Sequence, residues 1–73
     1  MNLHINGEAR TFPDPAPPAA FTLAALIESL NMKPDRVAVE LNLEIASRNL
    51  WSQIFLKDGD RLEIVHFVGG GSR

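Results

Sequence analysis

The 73-residue sequence contains no cysteine and no tyrosine. The missing thiols exclude a disulfide framework, a thiolate metal centre and a cysteine nucleophile together. Only two histidines are present, His4 and His66, far apart in sequence, so no histidine-based metal site is expected. Basic residues do not dominate. Seven Lys and Arg face nine Asp and Glu, for a formal charge of −2, which leaves no electrostatic footprint for nucleic acid. No apolar run approaches the roughly 20 residues of a membrane-spanning helix. The opening residues, from Met1 to Gly7, lack the basic and apolar regions of a secretory signal, so the expected location is cytoplasmic. What remains is ordinary globular material, 45% hydrophobic and 22% charged, in a length that suits one small domain.

The apolar residues recur with two periods. Met1, Leu3 and Ile5 alternate with Asn2 and His4, as in a half-buried strand. Asn6-Gly7 follows, the pair that best tolerates the positive φ angles of a type I′ turn, so a hairpin with a second strand from Glu8 to Phe12 is expected. Residues 13–20 hold four prolines, which remove backbone donors and mark a surface connection. Leu23, Leu26, Ile27 and Leu30 then form one helical stripe behind Thr22, a natural N-cap. Asn31 is a left-handed stop and Pro34 forbids continuation.

Alternation returns in Val37, Val39 and Leu41. Asn42-Leu43 reads as a tight turn into a short strand over residues 44–46. Ser47 is positioned to cap a helical turn through Asn49–Ser52, and Trp51 is expected at the edge of the core. Lys57 to Asp60 form a turn around Gly59. The last strand is expected over Arg61–Val68, with Leu62, Ile64 and His66 on one face and Arg61, Glu63, Val65 and Phe67 on the other. It carries neither Pro nor Gly and so suits a central position. Strand, strand, helix and further strands make an α+β layer, with one mixed sheet and one main helix on one face. If Leu62 and Ile64 face inward, Glu63, Val65 and Phe67 face outward as a partially apolar patch that Leu43 extends. The reversed assignment buries Phe67. Asp58 and Asp60, with Glu40 and Glu44, read as a solvated surface.

After the strand come Gly69-Gly70-Gly71-Ser72-Arg73. Ordering glycine costs about 1–2 kcal/mol per residue, so such a tail does not order alone. It does fit a narrow channel in another protein, because it has no Cβ to clash. A terminal glycine carboxylate there would be anionic at neutral pH. The division expected is a domain over residues 1–68 and a glycine-rich tail over 69–73.

Residues Asp58 to Gly71 closely resemble the C-terminal signature of the sulfur carrier proteins of thiamine biosynthesis. Residues Val37 to Asn42, the run Ile45 to Arg48, Trp51 and the opening strand with Asn6-Gly7 match the same family. The resemblance implies the β-grasp, or ubiquitin-like, fold. It implies no enzyme but a protein co-substrate that binds no cofactor of its own. A ubiquitin-activating-like adenylyltransferase would use ATP to adenylate the terminal glycine. Sulfur relayed from a cysteine desulfurase would make a thiocarboxylate, and thiazole synthase would take that sulfur into the thiazole ring. Gly71 is the implied reactive end, with Gly70 its partner and Gly69 entering the same channel. Family members usually stop at the diglycine. Here Ser72 and Arg73 follow, and the arginine would not pass a channel shaped for glycine, so either the chain is trimmed back to Gly71, with Gly69-Gly70 as the less favoured pair, or the carrier is stored inactive, or these two residues are not native to it. The alternatives are a sulfur carrier for molybdopterin or another pathway, and a ubiquitin-like modifier or interaction domain.

Overall fold

The computed structural model describes residues 1–16 and 20–67. Strand β1 (Asn2–Ile5) pairs antiparallel with β2 (Glu8–Thr11) through Asn6 and Gly7, whose φ angles of 52° and 83° fit the expected type I′ turn. Phe12 leaves the ladder but keeps two bonds to Met1, its N–H donating to the Met1 carbonyl and its own carbonyl accepting from the Met1 amino group, both at 2.8 Å. The rings of Phe12 and Phe21, with centroids 5.7 Å apart, draw together the two sides of the proline-rich connection.

Helix α1 spans Leu23–Ser29. Thr22 caps it as expected, its Oγ1 accepting from the Ala25 N–H at 3.1 Å. Seven residues are too few for an independent helix, so packing must hold it. Leu23, Leu26 and Ile27 are fully buried, and Leu30 closes the helix half-buried. Asn31 takes the left-handed conformation, with φ of 58°, before Pro34. A 3-10 turn (Pro34–Arg36) then leads into β3 (Val37–Leu41).

Strand β4 (Glu44–Ala46) returns antiparallel to β3. A longer 3-10 helix follows over Arg48–Gln53. Ser47 stands at its N-cap, but its side chain makes no capping bond. The Ser47 carbonyl accepts from the Leu50 N–H instead, so the backbone starts the turn unaided. Trp51 lies in the core rather than at its edge, its indole Nε1 donating to the Ala46 carbonyl at 3.0 Å. The chain next runs beside the start of α1, where the Leu23 N–H donates to Ile54 and the Leu56 N–H to Phe21.

Strand β5 (Arg61–His66) inserts between β1 and β3, parallel to the first and antiparallel to the second. The sheet order is β2-β1-β5-β3-β4, which places β5 at the centre. The strand ends at His66 rather than Val68 because its partner β3 begins at Val37, opposite His66. Phe67 makes one more bond, to the Arg36 carbonyl, and Val68 lies outside the described residues. The core fills one side of the sheet. Leu3, Ile5, Val37, Val39, Leu62 and Ile64 meet the helix, Trp51 and Leu56 there. No described helix is long and apolar enough to cross a membrane.

Candidate functional site

With one sheet face covered, the other is bare, and β5 carries it toward the glycines. Alternation along β5 buries Leu62 and Ile64 and exposes Glu63 and Val65, as expected. Val65 is 58% exposed and Phe67 54%, so the reversed assignment that buries Phe67 does not hold. His66, on the inward side by alternation, is nonetheless exposed at the end of the sheet, beside a hollow lined by Asn31, Lys33 and Phe67.

Cross-strand register assembles this outer face in rows. Ala38 sits opposite Val65. The next row runs Ile45, Glu40 and Glu63 across β4, β3 and β5. Ile45 is 82% exposed and was not singled out by the sequence reading. A three-residue strand is too short for alternation to fix its face, so only the pairing with Glu40 reveals it. These side chains border a concavity of about 400 Å³ on the outer side of the sheet. Glu40 and Glu63 are directly opposed, an unfavourable like-charge pair in an isolated sheet.

Leu43 occupies the tip of the β3–β4 turn and is 89% exposed. The turn is rigid despite its position. The Asn42 Nδ2 donates to the Asp60 carboxylate at 3.0 Å, and the Asn42 Oδ1 accepts from the Arg61 N–H at 3.0 Å. Asp60 is not surface acid, as the sequence reading had it, but 5% exposed. Its second oxygen accepts from the Lys57 N–H at 2.8 Å, so the carboxylate holds the turn that feeds β5. Gly59, with φ of 90°, makes that turn possible. Asn6 clamps β5 from the other side, its amide donating to the Ile64 carbonyl and accepting from the Ile64 N–H. Both ladder neighbours and two asparagine side chains thus fix the direction of the strand that precedes the tail.

Gly69, Gly70 and Gly71 lie outside the described residues, as does the expected boundary after residue 68. Among the described residues no group of three or more His, Asp or Glu side chains is placed to hold a metal ion. The outer sheet face is apolar ground in Ala38, Ile45, Val65 and Phe67, with acidic side chains set into it.

The model of the ThiS family matches residues 3–71, nearly the whole sequence. The chain belongs to the ThiS family. The sulfur carrier protein ThiS of Bacillus subtilis is 42% identical over 50 residues, which cover 68% of this chain and 76% of that protein. A longer protein of Paramagnetospirillum magneticum, named thiazole synthase, is 47% identical over 72 residues. Those cover 99% of this chain and 21% of that protein, so the chain spans about a fifth of its length. The crystal structure of the thiamine biosynthesis protein ThiS of Geobacter metallireducens superimposes with a TM-score of 0.75 at 34% identity, covering 97% of this chain and all of that one. The five-stranded mixed sheet with one main helix is thus the β-grasp fold of ThiS. The Bacillus subtilis relative is named a sulfur carrier protein, and the Geobacter metallireducens one a thiamine biosynthesis protein.

Proposed function

We propose that this chain carries sulfur as a thiocarboxylate at Gly71 for formation of the thiazole ring of thiamine. The observation that supports the reading most is the match to the ThiS family, which extends through residue 71 and so includes the glycines. The exposed face of β5 agrees with it, because a strand clamped on both sides aims the tail from a fixed body.

The chemistry proceeds in two displacements. The Gly71 carboxylate attacks the α-phosphorus of ATP on an adenylyltransferase and expels pyrophosphate. In the second displacement a persulfide from a cysteine desulfurase relay attacks the acyl carbon and expels AMP, and a thiol reductant then cleaves the S–S bond of the acyl disulfide, leaving the thiocarboxylate and a disulfide. Thiazole synthase then consumes the thiocarboxylate sulfur. The body supplies no acid, base or cofactor to these steps. It presents Glu63, Val65, Phe67 and Leu43 to its partners, with Gly69 and Gly70 threading the partner's channel. We set these steps in the cytoplasm, on a chain whose last residue is Gly71.

Intact mass measurement tests the reading. A chain ending at Gly71, incubated with the adenylyltransferase, ATP and the sulfur relay, is expected to gain one sulfur in place of one oxygen. The Gly70→Ala variant is expected to lose most of this gain, by at least tenfold in rate, without a change in melting temperature, since a β-carbon narrows the fit to the channel. Equal rates in the two would contradict the channel argument. An amide to a partner's lysine instead of sulfur gain would favour a modifier.

A further inference from the structure

Among the described residues, two turns have positive φ at both central positions, and they are built differently. Asn6-Gly7 uses glycine, with φ of 83°, where a β-carbon would meet nothing and only the backbone conformation demands the residue. Asn42-Leu43 places a leucine at φ of 73°, a conformation that bulky L-residues rarely adopt. No internal packing offsets that strain, because Leu43 is the most exposed large apolar side chain among the described residues. Strain of this kind persists only where the surroundings enforce it, and here Asn42 does so through Asp60 and Arg61.

We propose that Leu43 is a recognition anchor that enters an apolar socket with a basic rim on the thiazole synthase, which deepens and rests on the function proposed above. The footprint is continuous. From Val37, level with the end of β5, to Leu41 is four residues, about 13 Å of strand, and Leu43 stands in the turn just beyond. Val65, Ala38 and Ile45 bridge that span around the 400 Å³ concavity, and a smaller hollow of about 180 Å³ opens beneath Leu43 itself. Charge selects the occupant. Glu40 opposes Glu63 on this face, and Glu44 stands beside the turn. A second copy of the chain would bring the same acids together, whereas a basic rim relieves the opposed pair. The synthase is singled out because a protein of that name contains a segment matching 99% of this chain, so that body and synthase share one polypeptide there.

Leu43→Gly separates recognition from folding, because it relieves the turn while deleting the anchor. Titration calorimetry of Leu43→Gly and Leu43→Asn, which also tolerates positive φ, against purified thiazole synthase is expected to show at least tenfold weaker binding than wild type. Melting temperatures are expected to stay at or above the wild-type value. Affinities within twofold of wild type would overturn the anchor, and so would a fall of several degrees in melting temperature. Loss confined to the adenylyltransferase, or a Leu43-dependent dimer in sedimentation, would assign another occupant and also overturn it. If the chain ending at Gly71, otherwise wild type, gains no sulfur in the mass measurement, the function proposed above fails and this inference with it. Sulfur gain with unchanged synthase affinity removes the anchor alone.

Discussion

The two faces of strand β5 are one residue apart in sequence and serve opposite ends. Leu62 and Ile64 lie under the helix, where each is nearly free of solvent. Glu63 and Val65 alternate with them and look out on an uncovered sheet face. A 73-residue domain has little core to spare, so an apolar side chain left outside is conspicuous. Inner residues hold the body together, and outer residues have no partner within it. The same strand therefore carries stability on one side and, in the function proposed above, recognition on the other.

Substitutions can break that division. The largest expected effect is Leu62→Ala, which empties a fully buried site and is expected to cost about 3 kcal/mol in denaturant unfolding. Val65→Asp is expected to leave stability within about 0.5 kcal/mol of wild type. The same variant should weaken synthase binding roughly tenfold in titration calorimetry, because it desolvates a charge inside the contact. If Val65→Asp unfolds the protein as Leu62→Ala does, the faces are not distinct. The smallest effect is expected from Glu63→Gln. Relief of the opposed Glu40 should raise stability by about 0.3 kcal/mol at low salt, an increment that fades as salt is added. A loss of stability at low salt would show that the pair is not repulsive.

The inner face was legible in the sequence because it is periodic. Alternation placed Leu3, Ile5, Val37, Val39, Leu62 and Ile64 on the core side, and the helical stripe behind Thr22 met them. Asn-Gly and Asn31 announced their own positive φ angles. What the sequence concealed depends on long-range pairing. Asp60 looked like surface acid, yet it is buried because a turn 18 residues away supplies Asn42 as its partner. Ile45 looked like an ordinary strand residue, and only its register opposite Glu40 puts it outside. Ser47 had the chemistry of a cap, but a 3-10 turn closed through its carbonyl made the side chain unnecessary. The central place of β5 followed from its lack of Pro and Gly, whereas its neighbours, β1 and β3, were hidden because the strand inserts between elements that precede it. For the candidate site, exposure of Val65 and Phe67 followed from alternation, whereas the glycines of the tail lie outside the described residues.

A single-turnover transfer tests the central claim most directly. The carrier ending at Gly71, loaded with radiolabelled sulfur, is mixed with an excess of thiazole synthase and its other substrates, and the label is followed. The account predicts that up to one labelled sulfur per carrier enters the thiazole product while the carrier returns to its carboxylate form. Label that stays on the carrier, with thiazole formed from unlabelled sulfur, would contradict it.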